Sequence, residues 1–400
     1  MDPRGAAVIP FGRYNECGYV TPFGGKEMDK FVPICKIDEY YMSRALSLAS
    51  RGQGETSPNP MVGCVIVRDG HVIGEGYHER CGSGHAEIEA LEDLARRGAT
   101  ARGATVYVNL EPCSHFGRTP PCAPRLVEEG VARVVVGMAD PNPKVNQRGL
   151  EILRSGGIEV DGSCLESECR WLNRGFIRVQ TLGRPWVTLK AAAGLDGRMA
   201  LENGESRWIT SCEARQWAHR MRAAHDAVLV GVGTVIRDDP ELTVRDTEGR
   251  NPRRIVLDSR LATPVSAKVL SGEGGCLIFT CCGDSARAKA LTDAGARVLR
   301  APQRGGRVDL DAVLSELVSE GILSLMVEGG AKVLTAFMER GLADGAALFS
   351  SCRVMGEGPG IGTGLRLEAM SESLLLKDAT VRRVGPDFLT EAFFSCSPGL

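Results

Sequence analysis

The stretch "ATVYVNLEPCSHFGRTPPCAPRLVEEG", residues 104–130, decides how the first half of the chain folds. "ATVYVNL" is rich in β-branched and aromatic residues and reads as a strand. "PRLVEEG" has helical spacing and closes on a glycine. Between them, two cysteines that each follow a proline, Cys113 and Cys122, bracket His115, a glycine and Arg118. A strand, a loop and a helix in that order form the unit of a layered α/β fold. What remains to explain is why one loop carries two thiols with basic groups between them.

The same alternation extends outward from this loop. "DEYYMSRALSLASRG" (38–52) has helical apolar spacing, with Asp38 as its predicted cap. "MVGCVIVRDGHVIGEGYH" (61–78) reads as two strands joined by an Asp-Gly hairpin turn. "HAEIEALEDLARRG" (85–98) places acidic residues early, arginines late and a glycine at the end, as a helix does. "ARVVVGMAD" is a further strand, followed by a helix around 148–155. Apolar strands alternating with helices predict a largely parallel sheet covered on both faces. Turn residues in "QTLGRP" (180–185) then interrupt the pattern. A second α/β run follows: strand "WVTLKAAA", helix 211–224, strands "DAVLVGVG", "RRIVLDS" and "GCLIFTC", then strand "LSLMVEGG" leading into helix "AKVLTAFMERG". Glycine-rich breaks at 270–275 and 303–306 read as surface loops, and no repeat of fixed period is present. The expected division is an extension over 1–36, a first domain over 37–182 and a second over 183–400.

Composition limits the function classes. A 43% hydrophobic and 24% charged chain of 400 residues is globular and long enough for two cores. A net charge of −2 provides no field for nucleic acid or anionic lipid, and no apolar run reaches membrane-spanning length. The first residues lack a basic lead and a continuous apolar segment, so they read as a Gly/Pro-rich extension, with Met28 as an alternative start. Fourteen cysteines at irregular spacing, several in apolar runs (Cys64, Cys276), read as small hydrophobes in a reducing cytoplasm.

Cys113 and Cys122 are different. With His85 they make three good Zn²⁺ ligands, which leave a fourth tetrahedral position open to water. Zinc lowers the pKa of bound water from ~15.7 to about 7. Glu87, two residues past the histidine, is placed to take the water's proton and pass it to a leaving amine, a task typically worth about 10²–10⁴ in rate. The competing reading is a closed structural site with His115 as fourth ligand. H-x-E…P-C-x-x-C marks zinc nucleobase deaminases; here "HAE" and "PC" fit, but the second cysteine stands further along.

That longer loop, with "GHAEIEAL" and the earlier "SPNPMVGCVI", resembles the deaminase half of the bifunctional riboflavin-biosynthesis deaminase/reductase family, and the likeness runs from about Asp38 to the end of the chain. It implies a cytidine-deaminase-like three-layer α/β/α domain followed by a dihydrofolate-reductase-like α/β domain. It also implies a phosphorylated ribosylamino-pyrimidine as substrate, with Asn59, His78, His115 and Arg118 at family positions that contact it. Arg118 suits the phosphate because a guanidinium offers a rigid fork of donors.

In the second half, "GVGTVI" (231–236) alone is weak as a dinucleotide signal. "VEGGAKVL" (327–334) is better, because a strand ending in two glycines at a helix start can approach a pyrophosphate. "LKAAAGLDGRMA", "GESRWITS", "RDDPELTVR", "IVLDSR" and "VEGG" occur in the order of the family's reductase half. The resemblance implies that NADPH delivers hydride to C1′ of an opened ribosyl ring. It places Lys190 beside substrate and nicotinamide. It makes Ser206, Arg222, Leu242, Arg245 and Glu328 substrate contacts. Cofactor contacts are then Ala192, Trp208, Thr234, Asp238, Ser259, Gly330, Ala331, Lys332, Val333, Leu334, Thr335 and Ala336. Arg260 reads equally as a partner for the extra phosphate of NADP or as a surface charge, Trp208 by itself as core, and Asp196 as a turn residue.

The expected protein is therefore a cytoplasmic two-step enzyme that uses Zn²⁺ and NADPH on a small-molecule substrate, without nucleic-acid or membrane partners. From the resemblance, it is a homo-oligomer, dimer or tetramer. The alternatives are one working half beside a scaffold, a nucleic-acid deaminase, and a zinc- and nucleotide-binding regulator without turnover. Glu87 speaks against the last, since binding a metal needs no proton shuttle.

Overall fold

The computed structural model describes residues 34–114, 120–142 and 147–395. The chain forms two compact units, one running to Thr181 and the other starting at Leu182.

In the first unit, helix α1 (Ile34–Ala49) precedes strands β1 (Gly63–Arg68) and β2 (His71–Tyr77). Helix α2 (Ala86–Arg96), strand β3 (Thr105–Val108), helix α3 (Cys122–Glu128), strand β4 (Arg133–Val136), helix α4 (Arg148–Ser155) and strand β5 (Glu159–Asp161) follow, and α5 (Glu166–Leu172) and α6 (Arg174–Leu182) end it. The hairpin turns on Asp69 and Gly70, both at positive φ, as a two-residue turn between twisted strands requires. The sheet order is β2-β1-β3-β4-β5. It is less parallel than expected: β1 runs antiparallel to both neighbours, and only β3–β4–β5 is parallel. The tight turn after β1 forces the return of β2, because a two-residue connection can only run back antiparallel.

Alternating side chains feed two cores. Cys64, Ile66, Val106, Val108, Val134 and Val136 pack with α2, α3 and α4, whereas Val65, Val67, Tyr107 and Val135 pack with α1 and α5. Helices thus cover both faces, giving the three-layer α/β/α architecture. Gly63 and Gly76 allow the close approach: a side-chain carbon at Gly63 would land on the Ala45 carbonyl, and one at Gly76 on the Ala90 nitrogen. Asp38 is not a cap, because α1 begins upstream of it. Its carboxylate instead accepts hydrogen bonds from Tyr107 Oη at 2.7 Å and from Arg133 at 2.9 Å, which tie α1 to β3 and β4.

The second unit contains β6 (Trp186–Ala193), α7 (Cys212–Ala224), β7 (Ala227–Gly231), α8 (Val232–Asp238), β8 (Arg253–Leu257), β9 (Cys276–Thr280), α9 (Ser285–Asp293) and β10 (Ala296–Arg300). A small hairpin, β11 (Gln303–Arg304) and β12 (Arg307–Val308), is followed by α10 (Leu310–Ser319), β13 (Ser324–Val327), α11 (Ala331–Glu339), β14 (Gly345–Ser350), β15 (Leu376–Val384) and β16 (Asp387–Phe394). The nine-stranded sheet has the order β10-β9-β8-β7-β13-β6-β14-β16-β15. It is parallel from β10 to β14; β16 then runs antiparallel to β14, and β15 antiparallel to β16, so β16 alone of the nine runs the other way. Residues such as Leu229, Leu325 and Val327 pack on α10 and α11, and Val228, Val230 and Met326 on α7. The 303–306 break is this small hairpin and not a plain loop.

Two candidate active sites

In the first unit the sheet delivers its chemistry to one end. His85 is the residue before the first turn of α2, in extended conformation, and Cys122 opens α3. Cys113 lies a few residues past the end of β3. The Cys113 and Cys122 sulfurs stand 3.4 and 3.3 Å from His85 Nδ1, and the Cys122 N–H donates to the Cys113 sulfur at 3.3 Å. All three ligand atoms lie within 4.8 Å of one another, so one imidazole and two thiolates meet at a point that suits a tetrahedral zinc with one position left for water. The Cys113 thiol is held below its usual range by the hydrogen bond from Cys122 and by His85.

Glu87, in the first turn of α2, is 4% exposed. Burial, then the Cys113 thiolate, pushes its carboxyl up to about 7. A carboxyl poised there can both accept and donate a proton near neutrality. His78 Nδ1 faces the Gly84 carbonyl at 2.9 Å, so that nitrogen carries the proton, and Nε2 accepts from the Asn59 amide at 3.1 Å. Burial lowers the His78 pKa, keeping this ring neutral. Its ring lies 5.9 Å from that of His85, edge to face, so Asn59 and His78 stand beside the ligand cluster. His115 and Arg118 lie outside the described residues.

Three buried polar residues here escaped the sequence reading. Asn109 Oδ1 accepts from Gly63 N at 2.8 Å, and its amide donates to the Met61 carbonyl. Asn173 grips both backbone groups of Met61. Glu111 accepts backbone N–H groups from Asp140, Gln147 and Gly149 at 3.0–3.1 Å. The available signal was an Asn and a Glu at the end of an apolar strand, directly before the "PC" of the loop.

In the second unit, Lys190 on β6 and Glu328 just past β13 come together on one sheet face with Arg222 of α7. Arg222 engages Glu328 twice, Nε to Oε1 at 2.5 Å and Nη2 to Oε2 at 2.9 Å, and donates from Nη1 to the Thr243 carbonyl. Lys190 Nζ stands 3.5 Å from Glu328 Oε2 and 5.7 Å from the centre of the Phe349 ring. Burial alone would raise the Glu328 pKa, but the Arg222 and Lys190 charges override it and hold the carboxyl far below its usual range. Three of the five N–H groups of Arg222 are thereby used, and two remain for a ligand.

The other expected substrate contacts are placed less uniformly. Arg245 is exposed and pairs with Glu241 at 2.5 Å, while its backbone N–H donates to the buried His219. Ser206 is half-buried. The Leu242 side chain is in the core, so only its backbone can face a ligand.

Along the expected cofactor path, Ala192 is half-buried on β6, Thr234 Oγ1 accepts from Gly330 N at 3.3 Å, and the Asp238 carbonyl accepts from Arg207. Ser259 Oγ accepts from Val308 N. Gly330 is the residue before α11, and Ala331, Lys332 and Val333 form its first turn; Val333 N donates to the Gly330 carbonyl, and the N–H groups of Ala331 and Lys332 at this helix start suit a pyrophosphate. Leu334 and Thr335 turn inward, Thr335 donating to the Thr363 carbonyl, and Ala336 is half-buried. Trp208 is 62% exposed and is not core. Asp196 does more than shape its own turn, since Oδ2 accepts from Met355 and Gly356 N.

Known proteins share this arrangement. Residues 35–138 match the model of the cytidine and deoxycytidylate deaminase zinc-binding region, and residues 185–390 that of the RibD C-terminal domain. The riboflavin biosynthesis protein RibD of Aquifex aeolicus is 46% identical over 89% of this chain and 98% of its own length. That of Escherichia coli is 43% identical over 88% of this chain and 97% of its own. The crystal structure of a diaminohydroxyphosphoribosylaminopyrimidine deaminase/5-amino-6-(5-phosphoribosylamino)uracil reductase from Thermotoga maritima superposes with a TM-score of 0.81 at 38% identity, covering 90% of this chain and 99% of that one. No helix among the described residues is long and apolar enough to cross a membrane. With a zinc-site domain and a reductase domain in the same order along one chain, this protein belongs to the RibD family and is a bifunctional zinc-dependent deaminase and NADPH-dependent reductase of riboflavin biosynthesis.

Proposed function

We propose that the first unit hydrolyses the C2 amino group of 2,5-diamino-6-(5-phosphoribosylamino)pyrimidin-4-one, and that the second reduces the ribosyl group of the deaminated product to a ribityl chain. The observation that carries the first assignment is the buried Glu87 beside His85, Cys113 and Cys122. Zinc held by those three side chains supplies a water acidic enough to react near neutral pH. Glu87 takes a proton from the attacking water and hands it to the departing nitrogen, so that a C–O bond forms, a C–N bond breaks and ammonia leaves. Asn59 and His78 orient the pyrimidine, and His115 and Arg118 hold its ribose phosphate.

In the second unit NADPH supplies the hydride for C1′. Lys190, held by Glu328, donates a proton to the sugar oxygen as the ring opens. Arg222 keeps Glu328 ionised and, with Ser206, Arg245 and the Leu242 backbone, receives the phosphate. Ala192, Trp208, Thr234, Asp238, Ser259 and Gly330–Ala336 position the cofactor.

The same reading sets the catalytic domains at 37–182 and 183–400, leaves 1–36 outside them and places the protein in the cytoplasm as a homo-oligomer. Self-association is supported by apolar residues Leu374, Leu375, Leu376 and Val381 exposed on and just before the outermost strand β15. Light scattering of the purified chain tests this.

The deciding experiment follows ammonia release and NADPH oxidation in parallel on the diaminopyrimidinone ribotide. Ammonia without NADPH, and hydride consumption only after deamination, support both sites and their order. Ammonia with no NADPH consumption under any condition refutes the second assignment.

A further inference from the structure

Residues 239–247, between α8 and β8, include Leu242 and Arg245 and form neither helix nor strand. Their backbone is not relaxed. Asp239, Leu242 and Asp246 stand at φ 41°, 56° and 22°, a region that residues with a Cβ enter at a cost and keep only where the surroundings fix them. The Leu242 side chain supplies one fixture by packing in the core. The others are polar and come from outside the loop. Arg222 Nη1 donates to the Thr243 carbonyl at 3.1 Å, Asn251 Oδ1 accepts from Val244 N at 2.8 Å, and His219 Nδ1 accepts from Arg245 N at 3.2 Å.

His219 and Arg222 lie three residues apart on α7, hence on one face and about 4.5 Å apart along the axis. That face grips the loop twice, with a donor for the Thr243 carbonyl and an acceptor for the Arg245 N–H. A backbone N–H can only donate, so His219 Nδ1 carries a lone pair and the ring's proton sits on Nε2. Burial first, then the Arg222 and Arg245 charges, lower the His219 pKa against the pull of Asp246 and Glu328, which keeps the ring neutral and the acceptor in place. The ring is only 7% exposed. Without it, the Arg245 N–H would face the interior with no partner, and the loop could satisfy that group only by swinging toward water.

The Arg245 guanidinium is held differently. It is exposed, and Nη1 donates to Glu241 and Thr243, which belong to the loop itself. Its direction is therefore set by the loop's backbone, and that backbone by α7. We propose that His219 is a positioning residue of the reductase site: through the Arg245 N–H it holds the loop in the form that presents the Leu242 backbone and the Arg245 side chain to the phosphate end of the substrate. The inference rests on the substrate contacts assigned under Proposed function.

Two variants of the full chain test it, His219→Ala and His219→Asn. Asparagine sets Oδ1 at the place of Nδ1 and keeps the acceptor, whereas alanine removes it. With NADPH oxidation followed on the deaminated ribotide, His219→Ala should raise the ribotide KM ~3- to 10-fold and leave kcat and the KM for NADPH within about twofold of wild type. His219→Asn should return the ribotide KM to within about twofold. Trypsin gives a readout without substrate: cleavage after Arg245 should quicken in His219→Ala alone, while cleavage after Arg366, exposed elsewhere in the same unit, keeps its wild-type rate. A merely structural histidine predicts faster cleavage at both places, or equal harm from alanine and asparagine, and either result overturns the proposal. So do an unchanged ribotide KM and unchanged cleavage in His219→Ala. Faster cleavage after Arg245 with an unchanged ribotide KM supports His219 as the anchor of the loop, and the substrate contacts alone have failed. If the wild type oxidises no NADPH with the ribotide, the substrate assignment has failed and the cleavage rates still decide the role of His219.

Discussion

Glu87 and Glu328 are both buried carboxylates at the heart of a site, and their surroundings drive them in opposite directions. Glu87 has a thiolate for a neighbour, and burial leaves it up at about 7. Glu328 lies between Arg222 and Lys190, which hold it far below the ordinary range against the same burial. Burial therefore assigns neither role. The sign of the nearest charge separates them: it leaves Glu87 able to exchange a proton near neutrality and fixes Glu328 as an anion between two cations. This difference suits the two chemistries, since hydrolysis must move protons between water and nitrogen, whereas hydride transfer needs a held geometry.

The largest expected effect comes from removing the proton carrier. Glu87→Gln should lower ammonia release by about 10²–10⁴, while NADPH oxidation on pre-deaminated ribotide stays within about twofold. The two rates measured on one preparation check this, and an equal fall in both would show that the sites are not independent. Stripping the metal with a chelator should likewise abolish ammonia release and spare NADPH oxidation, with recovery on adding zinc.

Next in size is the fixed anion. Glu328→Gln leaves Arg222 and Lys190 facing a neutral amide, and losing one partner of a buried ion pair typically costs about 3–5 kcal/mol. Denaturant unfolding of the variant should reveal that loss. NADPH oxidation should collapse while ammonia release survives. In the metal-free protein the Glu87→Gln change should have the opposite sign and raise the melting temperature above neutral pH, because it removes a carboxylate that burial penalises when ionised.

How much of this contrast could be read beforehand differed between the units. That His85, Cys113 and Cys122 meet in space was legible because zinc chemistry requires particular residue types at particular places. The hairpin at Asp69–Gly70 was legible because its turn demands positive φ. Asp38 was misread because a local cap and a long-range partner look alike in sequence; its partners, Tyr107 and Arg133, come from other strands. Glu111 and Asn109 were missed for the same reason, since the backbone groups that they satisfy belong to segments distant along the chain, the start of β1 and the first turn of α4. The Lys190–Glu328–Arg222 cluster assembles from β6, the end of β13 and α7, so no spacing announces it. Exposed β15 and the antiparallel course of β1 follow from sheet order, which strand periodicity does not encode.

A pH series sharpens the contrast with a smaller effect. The folded pKa of Glu328 is depressed, so its contribution to stability is fully present above the unfolded value of about 4.3 and fades as pH falls toward the folded one. The stability gap between wild type and Glu328→Gln should therefore stay level from roughly pH 8 to pH 5 and narrow below about pH 4. A gap that widened on acidification would mean that Glu328 is not the anion of the cluster.

The smallest expected effect concerns Asp38, a buried carboxylate of the first unit whose partners all lie within its own domain's sheet. Burial opposes its ionisation, yet the hydrogen bonds from Arg133 and Tyr107 leave its pKa below the ordinary value. In kind this resembles Glu328, but the cluster is built with a spare partner. Arg133 also donates to Asp161 at 2.7 Å from Nε, and Asp161 is 46% exposed, so water can support that pair. In Asp38→Asn the amide oxygen still accepts from Tyr107 and the guanidinium keeps a carboxylate, so no charge is left unpaired. A loss near 1 kcal/mol is expected, the scale of a single hydrogen bond, against the several that Glu328→Gln should cost. If urea unfolding instead showed equal losses in the two variants, the spare carboxylate would count for nothing, and burial, not partner number, would set the cost of neutralising either site.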